Sequence, residues 1–387
     1  MLAICAEEFY NGDQVAKMTQ YIHQLKEWPN FVFDTQHLTN RLATVRFNQG
    51  HLLGRMGALG FELRQEAELG VLTEDVVKSS SIEGETLDAE QVRSSIARRL
   101  GMDAGGLRAP DRNVEGVVTM MLDATQRYEQ PLTAQRLWGW HASLFPTGWS
   151  GLRRIAVGQW RDDAEGPMQV VSGKQGQHVH FEAPAADKIH EEMTSFLDWF
   201  DGPGDTDWVV RAALAHLWFV TIHPFDDGYG RLARAIADMA LARSEKSAQR
   251  FYSMSAQIQR ERGEYYDAVE QAQKAVLDVT EWIDWFLACL DRAIEGARTD
   301  LAVVLKKARF WESINGQALN ERQRRVLKRL VEGFEGKITK SKWTKLTGCS
   351  EPTAFRDIQD LVDRGILVRN EEGGRSTNYS LVMPSED

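Results

Sequence analysis

The chain has 387 residues, of which 43% are hydrophobic and 26% are charged, an ordinary globular balance with length enough for two or three folded units. Its 46 basic and 56 acidic residues give a formal net charge of −10, which argues against a surface that binds nucleic acid or an anionic membrane over its whole extent. Three scattered cysteines are too few for a disulfide framework or a cysteine metal cluster.

The chain also lacks the patterns of membrane insertion and export. No uninterrupted apolar run reaches the length of about 18 residues that a membrane span needs. The start, MLAICAEEFYNGDQ, has no basic segment followed by a sustained apolar stretch. We therefore expect a soluble, cytoplasmic protein with no membrane partner.

The front of the chain is predicted to be helical. Apolar residues recur at intervals of three and four from about 14 to 70, which predicts a helical hairpin. Three glycines and a proline at 101–113 predict a loop, and helical patterns resume at 114–127 and 133–145.

A short hairpin is predicted in the middle of the chain. The runs Met168–Ser172 and His178–Glu182 are strand-like, and the turn-rich letters GKQGQ join them. Long helical patterns then follow at 185–201, 208–221, 231–244, 261–274 and 277–296. Because strands and helices do not alternate, the predicted fold class is all-α with one small sheet element.

The tail changes character after a helix predicted through 300–315. Helical runs at 320–334, 340–347 and 351–364 precede ILVRNEEGGRSTNYSLV, in which two β-rich runs flank a Gly-Gly turn. Three helices followed by a hairpin are typical of a winged helix.

The segment HPFDDGYGRLAR at 223–234 lies between two predicted helices and carries residues suited to phosphate. Gly228 and Gly230 allow the backbone to turn its N–H groups inward, and the start of the next helix adds unpaired donors. Arg231 and Arg234 are about one helical turn apart, so both guanidinium groups can face the same anion.

Two further side chains of this segment suit group transfer. Asp227 offers a hard carboxylate oxygen of the kind that Mg²⁺ binds when phosphates and water complete its coordination shell. His223 offers a base that titrates near neutrality. Each feature alone is as easily structural, but the ordered set contains the parts needed to move a phosphorus-containing group onto a hydroxyl.

This segment resembles the signature of the Fic family, His-x-Phe-x-(Asp/Glu)-Gly-Asn-Gly-Arg-x-x-Arg, and carries seven of its eight fixed positions. The resemblance implies a Fic helical core and the transfer of AMP from ATP to a Ser, Thr or Tyr hydroxyl of a protein. It implies that His223 deprotonates the target hydroxyl and that Asp227 holds Mg²⁺ between the α- and β-phosphates. Phe225 is then the buried anchor of the loop.

The same resemblance assigns the phosphate contacts. The backbone of Gly228 and Gly230 is expected to cradle the phosphates, while Arg231 and Arg234 hold the β- and γ-phosphates. The departure is Tyr229, where the family has an asparagine whose amide contacts the phosphates. A phenol offers one donor and more bulk, so weaker ATP binding, another nucleotide, or binding without efficient turnover all stay open.

Upstream, VVKSSSIEGETLD at 76–88 resembles the inhibitory helix motif of the family, with Ser79, Glu83 and Gly84 in place. The resemblance implies that Glu83 pairs with Arg234 and removes the guanidinium group that must hold the γ-phosphate. ATP then binds only in an unproductive pose. The alternative is that the three serines begin a helix and Glu83 is a favourable residue of its first turn.

The predicted hairpin at 168–182 resembles the family flap, whose edge strand pairs with the backbone of a target protein. His178 and His180 alternate on it, but without nearby cysteine or acidic partners they are expected to be surface or pairing residues rather than metal ligands. Tyr265 and Tyr266 resemble the tyrosine pair that family members place beside adenine. An equally good alternative is that one of them is a core residue and the other a surface residue.

The resemblance also suggests three domains. Residues 1–112 are expected to form a helical N-terminal extension with the inhibitory helix, 113–300 the Fic core, and 301–387 a linker helix and the winged helix. From 319 to 387 there are 13 basic and 11 acidic residues, which give a net charge of +2. This excess of positive charge is too small to indicate DNA binding strongly. The winged helix therefore has either DNA or a protein as its expected partner.

These features together predict a protein adenylyltransferase that uses ATP and Mg²⁺, modifies protein hydroxyls including its own, is autoinhibited by Glu83 and forms homo-oligomers. Two alternatives stay open. One is a nucleotide-sensing transcriptional regulator whose winged helix binds DNA, and the other is transfer of another group, such as UMP, phosphocholine or a bare phosphate.

Overall fold

The computed structural model describes residues 20–102, 109–164, 166–172, 178–274, 276–331, 338–370 and 377–383. The chain divides into two compact units, Met1–Ala297 and Arg298–Asp387. The described residues are mainly helical with small antiparallel sheets, so the predicted all-α class is confirmed. Within them, no helix combines the length and the apolar character needed to cross a membrane.

The first helices of the chain are α1 (Thr35–Gly57), α2 (Phe61–Ile82) and α3 (Ala89–Arg99). Asp34 and Asp88 accept hydrogen bonds from backbone N–H groups in the first turns of α1 and α3, which satisfies donors that a helix start leaves unpaired. The predicted helical hairpin is confirmed in α1 and α2, but it begins at Thr35 rather than near 14 and α2 extends well beyond its predicted end. The only helical segment of residues 20–34 is a short 3-10 helix, Ile22–Gln24, and residues 14–19 lie outside the described residues.

The centre of the first unit is helical. Its helices are α4 (Arg112–Gln126), α5 (Ala134–Leu144), α6 (Ile189–Asp201), α7 (Trp208–Ile222), α8 (Tyr229–Glu245), α9 (Met254–Arg260), α10 (Arg262–Gln273) and the part of α11 (Thr280–Ser313) that precedes Arg298. Every residue from Val209 to Ile222 in α7 and from Gly230 to Ala242 in α8 is buried. The loop that joins these two helices, residues 223–228, is therefore held in the interior of the unit.

Two helices differ from the sequence patterns. α9 is not predicted because it is short and is followed almost at once by α10. Separate helices are predicted at 277–296 and 300–315, whereas α11 is continuous. No proline separates the two patterns, and a single Gly296 does not end a helix.

Two small sheets lie in the first unit. β1 (Trp149–Ser150) pairs with β2 (Arg153–Arg154); these strands are too short to give a sequence pattern. β3 (Gln169–Ser172) pairs with β4 (His178–Glu182) in antiparallel fashion, with one shift in register. The predicted hairpin is confirmed in these two strands, and its turn, 173–177, lies outside the described residues.

The second unit contains the predicted tail. Its elements are α12 (Glu321–Val331), β5 (Ile338–Thr339), α13 (Lys340–Thr347), α14 (Glu351–Asp363), β6 (Leu367–Arg369) and β7 (Asn378–Leu381). The three strands form an antiparallel sheet in the order β5-β7-β6, and Trp343 is fully buried in the core beside it. Three helices and a hairpin are present as predicted, and β5 adds a third strand. The Gly-Gly turn lies outside the described residues.

Candidate active site

The loop between α7 and α8 contains two left-handed residues. His223 follows α7 at φ 52° and ψ 59°, and its N–H donates to the carbonyl of Phe219 at 3.0 Å. Gly228 precedes α8 at φ 76°, which glycine adopts without steric cost. A left-handed residue other than glycine is uncommon, and such strain concentrates at functional sites. Arg161 holds this turn, because its Nε donates to the His223 carbonyl at 2.7 Å.

Phe225 anchors the loop. Its ring is fully buried and stacks on the ring of His141, with centroids 4.2 Å apart and planes 9° from parallel. His141 Nδ1 lies 3.2 Å from the N–H of Gly158, so Nδ1 accepts and the protonated Nε2 donates to the carbonyl of Asp227, also at 3.2 Å. Burial lowers the pKa of His141 to about 4, which keeps this neutral tautomer at physiological pH.

Asp227 presents its carboxylate beside the start of α8. Oδ1 accepts a hydrogen bond from the N–H of Gly228 at 2.6 Å, and Oδ2 accepts one from the hydroxyl of Ser150. Each oxygen retains a further lone pair, and the side chain is partly exposed. Asp227 therefore fits the predicted role, a single carboxylate ligand of Mg²⁺ with other positions left to phosphates and water.

A carboxylate from the end of α2 lies against the first turn of α8. Glu83 Oε1 is 2.8 Å from Nη2 of Arg234. Ser79 binds the same guanidinium group through its hydroxyl and its carbonyl oxygen, both at 2.9 Å. A Cβ at residue 230 would lie 2.2 Å from Glu83 Oε1, so this position of the carboxylate depends on the glycine there. Glu83 thus lies against the first turn of α8, bound to one of its arginines.

The serine-rich motif ends a helix rather than beginning one. α2 runs to Ile82, Glu83 is its C-cap residue, and Gly84 follows at φ 85°. A left-handed glycine after the last turn is a common helix ending. The helix-start alternative is therefore wrong, because the serines continue the helix that begins at Phe61.

A second carboxylate from the same turn binds the other arginine. Glu85 Oε2 is 2.5 Å from Nη1 of Arg231, whose guanidinium group also lies over the ring of Phe145, 5.2 Å from its centroid. Arg231 is buried, whereas Glu85 is exposed. The sequence patterns alone do not single out Glu85, although it stands only two residues after Glu83. The two arginines of the phosphate segment are thus both held by carboxylates.

Tyr229 packs directly on the predicted base. The rings of Tyr229 and His223 have centroids 3.5 Å apart, and His223 has no exposed surface. Burial lowers the pKa of His223 to about 3; the charge of Arg161 adds to this shift and the Val220 carbonyl opposes it. Burial raises the pKa of the Tyr229 phenol well above its usual value, and the Glu83 carboxylate adds to that. A neutral phenol therefore covers a neutral imidazole.

The predicted adenine-binding tyrosines both lie on α10, with ring centroids 5.1 Å apart. Tyr265 is buried, and its hydroxyl is 2.9 Å from Nε2 of His216. Tyr266 is partly exposed, and its hydroxyl donates to the carbonyl of Ile82 at 3.4 Å. One is thus a core residue and the other contacts the end of α2, next to Glu83. A contact with adenine stays a prediction for both.

The flap histidines have an acidic partner that is remote in sequence. His180 Nδ1 is 2.7 Å from Oε2 of Glu270 on α10, and its Nε2 is 2.6 Å from the hydroxyl of Ser172 on β3. The ring of His178 lies beside that of His180, with centroids 4.4 Å apart. The expectation that these histidines lack an acidic partner is wrong, because Glu270 is 90 residues further along the chain.

Two buried carboxyl groups join α2 to α8. Asp75 on α2 accepts hydrogen bonds from the Ser253 hydroxyl and the Ser255 N–H, and Asp238 on α8 is 2.8 Å from Arg250. Burial and the neighbouring Asp75 charge raise the pKa of Asp238 well above its usual value, against the opposing effect of Arg250. The helix that carries Glu83 and the helix that carries Arg234 therefore meet at two buried carboxyl groups, and the raised pKa of Asp238 favours its protonated form.

Family comparisons agree with this geometry. Residues 131–241 match the model of the Fic/DOC family, and residues 21–102 match a domain of unknown function, DUF4172. The chain therefore contains a Fic/DOC domain, and the α7–α8 loop lies within it. A Fic family protein from Desulfovibrio desulfuricans G20 has a similar fold, with a TM-score of 0.53 and 22% identity; the match covers 92% of this chain and 98% of that one.

Curated relatives are named protein adenylyltransferases. The protein adenylyltransferase Fic of Nematostella vectensis is 32% identical over 114 residues, which are 29% of this chain and 25% of the relative. That of Drosophila willistoni is 24% identical over 264 residues, 67% of this chain and 49% of the relative. The chain thus spans about half or less of the curated relatives it matches. Adenylyltransferase activity is supported at the level of the family.

Proposed function

We propose that this chain is a protein adenylyltransferase that transfers AMP from ATP to a Ser, Thr or Tyr hydroxyl, including hydroxyls of its own, and that Glu83 holds it inactive. One observation carries the proposal. The N-terminal turn of α8, which carries Arg231 and Arg234, lies beside the buried imidazole of His223 through Tyr229, and the Glu83 carboxylate lies against this turn and binds Arg234.

In the proposed reaction, the imidazole of His223 accepts the proton of the target hydroxyl. The hydroxyl oxygen forms a bond to the α-phosphorus of ATP, the bond from that phosphorus to the bridging oxygen of the β-phosphate breaks, and pyrophosphate leaves. Arg231 and Arg234 bind the β- and γ-phosphates and stabilise the charge that the leaving group gains. Mg²⁺ held by Asp227 would supply further charge neutralisation at the α- and β-phosphates.

Glu83 opposes this reaction by competing for Arg234. A γ-phosphate oxygen and Glu83 Oε1 need the same guanidinium N–H groups, which are now bound to Glu83 and Ser79. ATP can then enter only without its full set of phosphate contacts, and its α-phosphorus is not placed in line with the hydroxyl.

Tyr229 imposes a second condition on turnover. While its ring covers His223, the imidazole has no exposed surface, and a base with a pKa of about 3 accepts a proton poorly at neutral pH. Rotation of the phenol away from the imidazole lets a hydroxyl approach. It also lets the pKa of His223 return toward the ordinary value of about 6.5. In this proposal Tyr229 moves before AMP is transferred.

The target protein is proposed to dock on the flap. β3 and β4 pair only with each other among the described residues, so each strand has an edge at which an extended target segment can add. Strand addition positions a hydroxyl through main-chain hydrogen bonds and needs little target sequence. This fits an enzyme that also modifies itself.

The proposal is tested by the position of the label that the protein acquires from ATP. The Glu83→Gly chain is incubated with Mg²⁺ and ATP labelled at the α- or the γ-phosphate, beside a Glu83→Gly/His223→Ala chain as the matched control. Label from α-labelled ATP alone, lost in the control, supports AMP transfer. Label from γ-labelled ATP indicates phosphoryl transfer instead, and absence of label from both contradicts the proposal.

A second candidate, a nucleotide-sensing DNA-binding regulator, is favoured by one observation. The winged helix presents Arg356 and Gln359 as exposed side chains of α14, the second helix of its helix-turn-helix. Sequence-selective retention of DNA by the full chain, lost in an Arg356→Ala variant and combined with absence of label from ATP, would favour this function over AMP transfer.

A further inference from the structure

We propose that His178, His180 and Glu270 form a binding site for a first-row divalent cation on the flap, with Zn²⁺ as the best fit. One ligand atom from each of the three residues lies within 4.8 Å of the other two. Two imidazole nitrogens and one carboxylate oxygen, with a position left for water, are a donor set that Zn²⁺ takes in proteins. The site is independent of the α7–α8 loop and does not rest on the proposed AMP transfer.

The backbone places these donors on one side of the hairpin. His178 and His180 are two residues apart on β4, so their side chains leave the same face of the strand. Glu270 reaches that face from α10, and its Oε2 is 2.7 Å from Nδ1 of His180. Neighbouring ligands of a tetrahedral Zn²⁺ are about 3.4 Å apart, since each bond is about 2.0–2.2 Å long. A small separation of this pair and a rotation of the exposed His178 therefore complete the site.

Ser172 already holds the other nitrogen of His180. Histidine ligands usually donate their second ring N–H to an oxygen, which fixes the tautomer and directs the free nitrogen at the metal. The hydroxyl of Ser172 is 2.6 Å from Nε2 and can accept that hydrogen bond. When Ser172 accepts from Nε2, Nδ1 and the Glu270 carboxylate are two acceptors facing each other, and a metal ion between them satisfies both.

Metal binding moves the ring proton of His180 from one nitrogen to the other. Without metal, Nδ1 of the neutral imidazole donates to Glu270 Oε2 and Nε2 accepts from Ser172; with metal, the proton lies on Nε2 and is accepted by Ser172, while Nδ1 and Oε2 bind the cation. Ser172 can donate or accept in turn, so β3 keeps its position in both states. Lys274 binds Oε1, the other oxygen of Glu270, and leaves Oε2 to the metal.

The cluster is open to solvent, because His178 is exposed. Glu270 also lines a surface groove of about 480 Å³, together with Asp267, Gln271 and Lys274. A bound cation ties β4 to α10 through metal bonds where the metal-free chain has one hydrogen-bonded pair. Metal binding thus restrains the strand of the flap on which a target protein is proposed to dock.

The site is tested with Zn²⁺ alone on the full chain. Chelator-treated protein at neutral pH is titrated with Zn²⁺ in a calorimeter, beside His178→Ala and Glu270→Gln variants. The matched control is His190→Ala, an exposed histidine of α6 outside the cluster. We expect about one tight site per chain, at least about tenfold weaker in the two cluster variants and unchanged in the control.

Two results overturn the site. One is the absence of tight Zn²⁺ binding by the unaltered chain, and the other is equal affinity in the unaltered chain and the His178→Ala variant. His178 is exposed, so its replacement leaves the fold intact even if Glu270→Gln does not fold.

Discussion

Replacement of Glu83 with glycine is expected to lower the stability of the chain while raising its activity. Glu83 makes one charge-assisted hydrogen bond to Arg234, which keeps two bonds to Ser79 when the carboxylate is removed. Loss of one such bond costs about 1.5–3 kcal/mol of unfolding free energy. The same free energy holds the inhibited arrangement. Its loss should therefore raise the rate of AMP incorporation about 10- to 150-fold, at about 1.4 kcal/mol for each factor of ten.

Both quantities are measured on the same preparation. Unfolding free energy comes from urea titration followed by circular dichroism, and activity from the initial rate of label uptake from α-labelled ATP. Glu83→Gln keeps the size and the backbone but removes the charge, so it should lie between the unaltered chain and Glu83→Gly. Glu129→Gly, at an exposed glutamate after α4, controls for the effect of an added glycine.

The loss of stability and the gain of activity of Glu83→Gly are expected to occur together. If Glu83→Gly loses stability but gains no activity, the pair with Arg234 is purely structural. If it gains activity with unchanged stability, the restraint does not come from this hydrogen bond. Either result refutes the reasoning, provided that the control variant behaves like the unaltered chain.

Three other variants probe neighbouring contacts. Glu85→Gln removes an ion pair between the buried Arg231 and an exposed carboxylate, and the exposure of Glu85 limits its worth to about 0.3–1 kcal/mol. Label uptake in the Glu83→Gly background should therefore rise further by only about two- to fivefold, and a larger gain would make Glu85 the main restraint. Tyr229→Asn removes the contact of the Tyr229 ring with His223, which is worth about 0.5–1.5 kcal/mol, and should raise kcat about 2- to 12-fold. A fall in kcat would instead show that the phenol takes part in the reaction.

The third variant concerns pH. The pKa of Asp238 is raised in the folded chain, so its protonated form stabilises the fold at low pH, and this contribution is lost as pH rises from about 4 through the raised pKa. Asp238→Asn should reduce this loss of unfolding free energy, measured by urea titration at a series of pH values above about 4. An unchanged pH dependence would contradict the raised pKa of Asp238.

The active-site loop is predictable from sequence because its signals are local. The apolar α7, the glycines at the start of α8 and the arginines of α8 stand within one short stretch, and each has a physical reason at its own position. Phe225 is buried and His223 ends α7, where the spacing places them. The hairpin of β3 and β4 and the strands β6 and β7 of the tail are predictable for the same reason, because β-forming residues and turn-forming residues mark them in the sequence.

Contacts between distant segments could not be predicted in this way. Nothing in the order of residues shows that Glu85 reaches Arg231, because that contact depends on how the end of α2 meets α8. The tight packing of Tyr229 on His223 depends on the left-handed turn between them. Glu270 meets the flap only through the packing of α10 on β4. In each case the tertiary fold supplies the partner.

The most direct test of the central claim is the intact mass of the Glu83→Gly chain after incubation with ATP and Mg²⁺. A base at His223 beside an anion site on α8 predicts a gain of one or more AMP units, absent when His223 is also replaced by alanine. An unchanged mass in the folded Glu83→Gly chain, or the same gain in the doubly substituted chain, would contradict it.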